Sequence, residues 1–307
     1  VRSSLMTGML TVRPMTPEDI PIAAKICLDA FVAINSRIGL PSEFALDFEA
    51  EDIFTHALDT GNYDAFVAVD PSGEIVGSNI ISVCDDVCGI GPITVKPDTQ
   101  SSGVGRLLMQ TVMAAAERRG KTTVRLLQIA ANIGSYCLYV NMGFDPTGTV
   151  VHYEGRCTSP APQGFSFKPI TKDTLDACIQ LHKTVCGYDR AVAIMDAAGQ
   201  TVNPVGCVLD TQGQVVAYTT GLHLEGHTVA IGEAALRAII VNISELVEAA
   251  RMAGKPLAPP AIHAPHAYPG LCRWLSSCGF RGIRQLVQMG YGPLAASIIR
   301  PGEFYCP

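Results

Sequence analysis

The pattern of apolar and polar positions is clearest between residues 90 and 120. Residues 90–95 form an apolar run that predicts a strand, and a loop of small and polar residues follows it. Beyond the loop, apolar residues recur at helical spacing as far as Ala115, and two arginines and a glycine at 118–120 are typical of a helix end. This stretch therefore predicts a strand, a tight loop and a long amphipathic helix.

The loop has the composition of an anion-binding site. At a helix N-terminus the first backbone N–H groups have no partner within the helix and the helix dipole favours negative charge, so a phosphate is stabilised there. Glycines strengthen this expectation because the missing Cβ lets an anion approach the main chain closely. The residues concerned are Ser101, Ser102, Gly103, Val104, Gly105 and Arg106.

Three types of glycine-containing loop can be weighed against this sequence. A P-loop needs Gly-Lys-Ser/Thr, but Gly105 is followed by Arg106 and Leu107. A dinucleotide-binding fingerprint needs a third small residue at position 108, which is leucine here. An ordinary tight turn before a helix stays open for an isolated Gly-x-Gly.

The motif Gln100-x-x-Gly103-x-Gly105, placed after a strand that ends at Val95, resembles the acetyl-coenzyme A loop of the GNAT acetyltransferases. A second stretch, from Asn132 through Tyr139 to Gly143-Phe144, resembles the next helix and strand of that family. The resemblance implies that Asn132 contacts the pantetheine arm and that Tyr139 lies by the sulfur, although Tyr139 alone would also suit a core aromatic residue. It assigns to acetyl-CoA the residues Ile93, Thr94, Val95, Gln100, Ser101, Ser102, Gly103, Val104, Gly105, Arg106, Asn132, Ser135 and Tyr139.

Acetyl transfer from a thioester needs a positioned amine, a donor for the carbonyl oxygen, a base and help for the departing thiolate. Pro92 stands inside the predicted strand, and proline is confined to edges and bulges because it cannot donate to a ladder. In the family a bulge there splays two strands, so the resemblance implies that the backbone of Ile93 and Val95 binds the cofactor, with the Val95 N–H near the acetyl oxygen.

Tyr139 is the predicted general acid, because a phenol with a pKa of about 10 keeps its proton at neutral pH and can still donate it. The base is unassigned. Asp85 and Asp86 stand just before the strand and either act through water or form a solvated turn.

The chain also repeats itself, and the repeat predicts two tandem domains of one α/β fold. Following the resemblance, each is expected to be a GNAT-like domain with a central mixed, splayed β-sheet flanked by helices, over residues 1–158 and 165–307. The matching segments are Arg13-Pro-Met-Thr16 with Lys168-Pro-Ile-Thr171, residues 70–77 with 210–217, and Gly143-Phe144 with Gly279-Phe280.

Only the first copy keeps the chemistry. Alignment on the two Gly-Phe pairs places Tyr268 opposite Asn132 and Leu275 opposite Tyr139, and residues 220–255 contain no Gly-x-Gly. The second copy is therefore predicted to be a degenerate, non-catalytic domain. Its segment 187–190, Gly-Tyr-Asp-Arg, resembles one carried by a group of two-domain GNAT proteins.

Composition narrows the function further. The net charge of −6 argues against a nucleic-acid surface and mildly favours a cationic substrate. Eleven cysteines in a long chain without a secretory segment favour reduced thiols and a cytoplasmic protein, and Cys84 and Cys88 lack a second pair at zinc spacing, so no metal is predicted. No apolar run reaches the roughly 18 residues of a membrane span.

The sequence thus predicts an acetyl-CoA-dependent N-acetyltransferase that acts on the amine of a small molecule or peptide, as a monomer or homodimer. Two alternatives stay open: a sensor or regulatory module that binds acetyl-CoA without turnover, and a structural pair of α/β domains whose loop holds some other anion.

Overall fold

The computed structural model describes residues 10–41, 49–200, 203–223, 226–295 and 302–307. The chain has an α/β fold and divides into two compact units. The first unit contains Val1–Leu126, Ala131–Asp145 and Gly290–Pro293, and the second contains Leu127–Ala130, Pro146–Met289 and Leu294–Pro307. These bounds describe packing, whereas the boundary at 158–165 describes the sequence repeat and stays a prediction.

The first unit is built on a four-stranded antiparallel sheet with strand order β1-β2-β3-β5, and β4 pairs in parallel with the start of β6. The last residues of β6 belong to the second unit. The elements are β1 (Thr11–Pro14), α1 (Ile20–Arg37), α2 (Glu49–Thr60), β2 (Tyr63–Val69), β3 (Ile75–Ser82), β4 (Val87–Gly89), β5 (Thr94–Val95), α3 (Val104–Arg118), β6 (Thr123–Ile129) and α4 (Ile133–Val140).

Helices cover both faces of this sheet because successive strand residues point to opposite sides. Val67 on β2 packs into an apolar cluster with residues of α1 and α2, while its neighbour Ala68 packs with α3. Gly77 on β3 allows β5 to lie close, since a Cβ there would stand 2.6 Å from the Thr94 carbonyl oxygen. The amphipathic pattern of α3 is thereby satisfied, with Leu108 fully buried.

The second unit contains an antiparallel sheet with strand order β8-β9-β10-β11-β14 and a second set in which β7 lies between β12 and β13. The buried face of α7 supplies much of the apolar core. The elements are β7 (Asp145–Gly155), β8 (Ser166–Lys168), α5 (Lys172–Cys186), α6 (Ala191–Gly199), β9 (Gly206–Leu209), β10 (Val215–Thr219), β11 (Thr228–Ile231), α7 (Glu233–Met252), β12 (Ala261–Pro265), α8 (Pro269–Ser277), β13 (Phe280–Tyr291) and β14 (Glu303–Cys306).

The sequence repeat is also a structural repeat. In the turn between β2 and β3, Asp70 Oδ1 accepts from the backbone N–H groups of Ser72 and Glu74, at 2.8 and 3.0 Å. In the turn between β9 and β10, Asp210 Oδ1 accepts in the same way from residues 212 and 214, both at 2.9 Å. An aspartate that fixes its own turn explains why both copies carry one there.

The last strands of the two repeats are exchanged. β7 comes from the first repeat but pairs with β12 of the second, with Tyr153 opposite Ile262 and His152 opposite His263. Within the same unit, the carbonyl oxygen of Gln285 on β13 accepts from Ala130 N at 3.0 Å, just after β6. The compact units therefore do not follow the repeat boundary.

Candidate functional site

The apolar run at residues 90–95 does not form one continuous strand. Ile90 N still donates to the Arg125 carbonyl oxygen on β6 at 2.9 Å, but Gly91 N donates to the Ile80 carbonyl oxygen on β3 at 3.0 Å. The chain thus leaves β6 and joins β3 between Ile90 and Gly91, directly before Pro92, which has no N–H to give to either ladder. The interruption predicted from this proline is present, and it separates β4 from β5.

β5 is the edge strand of its sheet, and its backbone orientation can be read from its bonds to β3. Lys96 N donates to the Val76 carbonyl oxygen at 2.9 Å, and the Thr94 carbonyl oxygen also faces β3. Because peptide groups alternate along a strand, the Val95 N–H points the other way, to the open edge. That edge is where an extended ligand could add as a further strand.

The loop after β5 presents backbone N–H groups to solvent. Gly103 is the N-cap of α3 and has φ 94°, and Ser101 also has a positive φ of 66°. A glycine N-cap has no side chain with which to cap the helix, and the first turn of α3 holds no acidic residue. The unpaired N–H groups and the helix dipole are therefore available to an anion.

The other predicted loop residues fall into two groups. Gln100, Ser101, Ser102 and Arg106 are exposed, whereas Val104 and Thr94 are buried. Gln100 Nε2 donates to the Val95 carbonyl oxygen at 3.3 Å, and the Thr94 hydroxyl lies 3.1 Å from that of Ser78. Ile93 is half-buried and packs against the apolar cluster under α3. The side chain of Thr94 is thus used within the sheet, and its backbone carbonyl also faces β3, so the open edge is presented by Ile93 and Val95.

α4 brings the remaining predicted residues to the first unit. Asn132 is its N-cap, and its Oδ1 accepts from Ser135 N at 3.3 Å. One turn later, the Ser135 side chain hydrogen-bonds with Tyr139, which is only 5% exposed. Burial raises the pKa of Tyr139 to about 12, and the bond from Ser135 opposes that shift. The four-residue spacing of Ser135 and Tyr139 would have revealed this pair in the sequence.

Gly105 links α3, α4 and β5. A Cβ on this residue would stand 3.4 Å from Leu138 Cδ2 and 3.9 Å from Val95 Cγ2. A methyl group would therefore fit, while a longer side chain would meet these neighbours or project over the loop. Leu138 was not singled out in the sequence, because nothing local marks it as a neighbour of the loop.

The two candidate bases lie in the turn before β4. Asp85 is buried, its carbonyl oxygen accepts from Lys121 Nζ at 2.8 Å, and Cys84 Sγ donates to its carboxylate at 3.7 Å. Burial and this carboxylate raise the pKa of Cys84 to about 11. Within the part of the chain that the structure describes, no cluster of side chains suits a metal ion, and none of the helices has the length and apolarity to span a bilayer.

Comparison with known proteins bears on the same region. Residues 32–144 match the acetyltransferase (GNAT) family model. A 74-residue stretch is 32% identical to the [ribosomal protein bS18]-alanine N-acetyltransferase of Escherichia coli K12, covering 24% of this chain and 50% of that protein. The chain thus spans about half the length of the curated relatives it matches.

Solved structures cover nearly the whole chain. A Pyrococcus horikoshii protein provisionally assigned as an acetyltransferase superposes with a TM-score of 0.70 at 16% identity, over 99% of both chains. A GCN5-related N-acetyltransferase from Sphaerobacter thermophilus gives 0.62 at 15% identity, over 95% of this chain and 98% of that one. A tandem GNAT protein from the clavulanic acid biosynthesis pathway gives 0.59 at 13%, over 92% and 98%. The family match therefore covers residues 32–144, and the chain as a whole has the fold of these solved structures, a tandem GNAT protein among them.

Proposed function

We propose that the first half of the chain binds acetyl-CoA and transfers its acetyl group to an amine. The observation that carries this proposal is the alignment of an open strand edge with an uncapped helix. The Val95 N–H faces the free edge of β5, and the exposed loop that follows leads directly to the N-terminus of α3. An extended arm ending in a pyrophosphate fits that order of groups.

Each residue would bind the part of acetyl-CoA that lies nearest to it. The backbone of Ile93 and Val95 would hold the extended arm, with Gln100 bracing the Val95 carbonyl. Asn132 and Ser135 at the start of α4 would contact the other side of the arm. The pyrophosphate would take the N–H groups at the loop and helix start, with Arg106 adding positive charge; the residues are Ser101, Ser102, Gly103, Val104, Gly105 and Arg106.

Acetyl-CoA supplies a thioester whose carbon the amine attacks. The Val95 N–H would donate to the carbonyl oxygen and stabilise the charge that develops there. Because that N–H belongs to a strand fixed by β3, the donor is held in place before the reaction. A base for the amine proton is not assigned.

Tyr139 would assist the departing sulfur. With its pKa raised to about 12, the phenol is protonated throughout the neutral range. Complete transfer of its proton to a thiolate with an ordinary pKa of about 8.5 is uphill. We therefore expect Tyr139 to act by donating a hydrogen bond that strengthens as charge builds on the sulfur, with proton transfer only as the bond to carbon breaks.

Two measurements test this function. Isothermal titration should give one acetyl-CoA per chain, and a thiol-release assay should then show turnover with an amine. The panel should hold small amines, cationic ones first because of the net charge, and peptides with N-terminal alanine, the residue named for the bacterial relative. Binding without turnover across the whole panel would favour the sensor, and absence of binding would reject both functions.

We also propose a reducing compartment such as the cytoplasm. All eleven cysteines are free in the structure, which supports this proposal because disulfides are rare in reducing compartments.

A further inference from the structure

The edge that is open in the first half is covered in the second. β11 precedes the long helix α7 just as β5 precedes α3, and the C-terminal strand β14 pairs with β11 in antiparallel register. The pairing runs from Thr228 opposite Cys306 to Ile231 opposite Glu303. Residues 303–306 of the same chain therefore cover the edge whose counterpart in the first repeat ends its sheet.

Residues 302–307, called the tail here, contact positions of the second half that correspond to the predicted cofactor-binding positions of the first half. Gly232 is the N-cap of α7, as Gly103 is of α3, and its N–H donates to the Gly302 carbonyl oxygen at 2.7 Å. Tyr268 is the N-cap of α8, as Asn132 is of α4, and its hydroxyl accepts from Tyr305 N at 3.3 Å. The tail thus runs from a helix N-terminus along a strand edge, like the arm proposed for the first half.

Specific side chains anchor the tail. The Tyr305 ring is 6% exposed, and its hydroxyl accepts from Arg190 Nη1 at 3.0 Å. Phe304 packs edge-on against Tyr268 with ring centroids 4.9 Å apart. Arg190 is the last residue of the Gly-Tyr-Asp-Arg segment, so this contact gives that sequence motif a structural role.

The end of the tail is held as firmly as its middle. Cys306 is 1% exposed, and His263 Nδ1 lies 3.0 Å from the Pro307 carbonyl oxygen. Burial lowers the pKa of His263 to about 3, so the ring is neutral and its Nδ1–H is the donor to that carbonyl. His263 sits on β12, so the tail is bound by β11 on one side and by β12 on the other.

We propose that the second half contains a binding site for an extended peptide, and that residues 302–307 are its resident ligand. The groove is defined by the edge of β11, the N-terminus of α7, Arg190, His263 and Tyr268. In the intact chain this occupant excludes any other extended ligand. Once the tail is removed, the groove takes the same peptide from solution, with Tyr305 as its main anchor.

The test uses the chain shortened to residue 301 and the synthetic peptide Gly-Glu-Phe-Tyr-Cys-Pro. Removal of the tail should lower the melting temperature, and the peptide should bind one site per chain and restore most of the loss. A control peptide with Tyr305→Ala should bind at least about tenfold more weakly. A shortened chain with an unchanged melting temperature and no peptide binding would overturn the proposal.

Thiol labelling of the full chain provides a second test should the shortened chain not fold. Buried Cys306 should react at least roughly 100-fold more slowly than the exposed Cys137. Tyr305→Phe, which removes the bond to Arg190, should speed the labelling of Cys306 and leave the buried Cys278 unaffected. Equal rates at Cys306 and Cys137 would show that the tail is not bound. Neither experiment involves acetyl-CoA, so its outcome is independent of the function proposed for the first half.

Discussion

The long central helices of the two halves both begin after a glycine N-cap, but the charges in their first turns differ. Both N-caps are glycines with positive φ, 94° at Gly103 and 88° at Gly232. The first turn of α3 carries no acid, whereas α7 begins with Glu233, which is ion-paired with Arg237. A carboxylate at that position repels a phosphate. A glycine before a helix is therefore weak evidence for an anion site until the adjacent charge is known.

The strands that precede these helices also differ, because one has an open edge and the other a covered one. β5 ends its sheet, and β11 is covered by β14. The apolar core does not share this difference, since α7 buries Leu236, Ile239 and Ile240 completely. The residues that pack the core are not those at the strand edge and helix start, so the two features can vary independently. Four predictions test this contrast.

The largest effect is expected from Gly105→Glu. The new side chain adds bulk beside Leu138 and negative charge at the loop, so acetyl-CoA binding should fall by at least about 100-fold in isothermal titration. The fold should survive because a Cβ at this position makes an ordinary contact. Gly199→Glu is the matched control, since Gly199 is exposed, has open space around it and lies at the end of α6 in the second unit. Unchanged affinity in Gly105→Glu would remove the loop from the site.

Tyr139→Phe tests the chemistry without disturbing the binding loop. Loss of the hydroxyl should lower kcat by about 100-fold and leave acetyl-CoA affinity nearly unchanged. Tyr136→Phe, three residues earlier on the same helix, should keep full activity. In the wild type the phenol stays protonated below its pKa of about 12, so no activity should be lost to its ionisation up to about pH 10. Full turnover by Tyr139→Phe would assign Tyr139 to packing alone.

Local chemistry made much of the first unit predictable. The small-residue loop and helical spacing indicated α3, observed as Val104–Arg118, and the repeated turn at Asp70 and Asp210 was found with the same hydrogen bonds. Pro92 marked the interruption between β4 and β5. Each of these features depends on residues only a few positions apart, which a sequence displays directly.

The exchanged strands and the C-terminal strand could not be predicted in this way. The partner of β7 lies more than a hundred residues away in β12, so no local pattern marks the pairing. β14 could not be predicted either. A four-residue segment shows little hydrophobic periodicity, and its partner β11 is also distant in the sequence. The Gly-Tyr-Asp-Arg motif is visible in the sequence, but the contact between Arg190 and Tyr305 joins residues 115 positions apart and needs the structure.

Alanine at either N-cap glycine should lower stability, but only one of the two substitutions should also lower acetyl-CoA affinity. An added Cβ meets nothing within 4 Å at either position, so substitution by alanine acts through backbone strain. Gly232 has ψ 138°, close to a region that only glycine populates, and Gly232→Ala should cost roughly 2–3 kcal/mol of stability. Gly103, with ψ −7°, is left-handed, and Gly103→Ala should cost about 1 kcal/mol. Acetyl-CoA affinity should fall only in Gly103→Ala; an equal fall in both variants would contradict the assignment of one site to the first half.

The smallest expected effect is a difference between the two repeats in how the stability from the residue that caps the first helix depends on pH. In the first, Asp19 accepts from Thr16 N at 2.8 Å and is paired with Arg13 at 2.6 Å, which lowers the pKa of Asp19 to about 2. In the second, the equivalent acceptor from Thr171 N is the neutral hydroxyl of Thr174, at 2.9 Å. A carboxylate with a lowered pKa adds stability above its ordinary pKa of about 4 and loses that contribution as the pH falls through about 2. Because Arg13 is half-exposed, Asp19→Asn should cost only about 1–2 kcal/mol of stability at pH 7.

Urea unfolding at pH 7, 4 and 2 should show the stability cost of Asp19→Asn shrinking toward zero, while the cost of Thr174→Ala stays the same at all three. A cost of Asp19→Asn that does not change with pH would show that the ion pair contributes nothing to the first half.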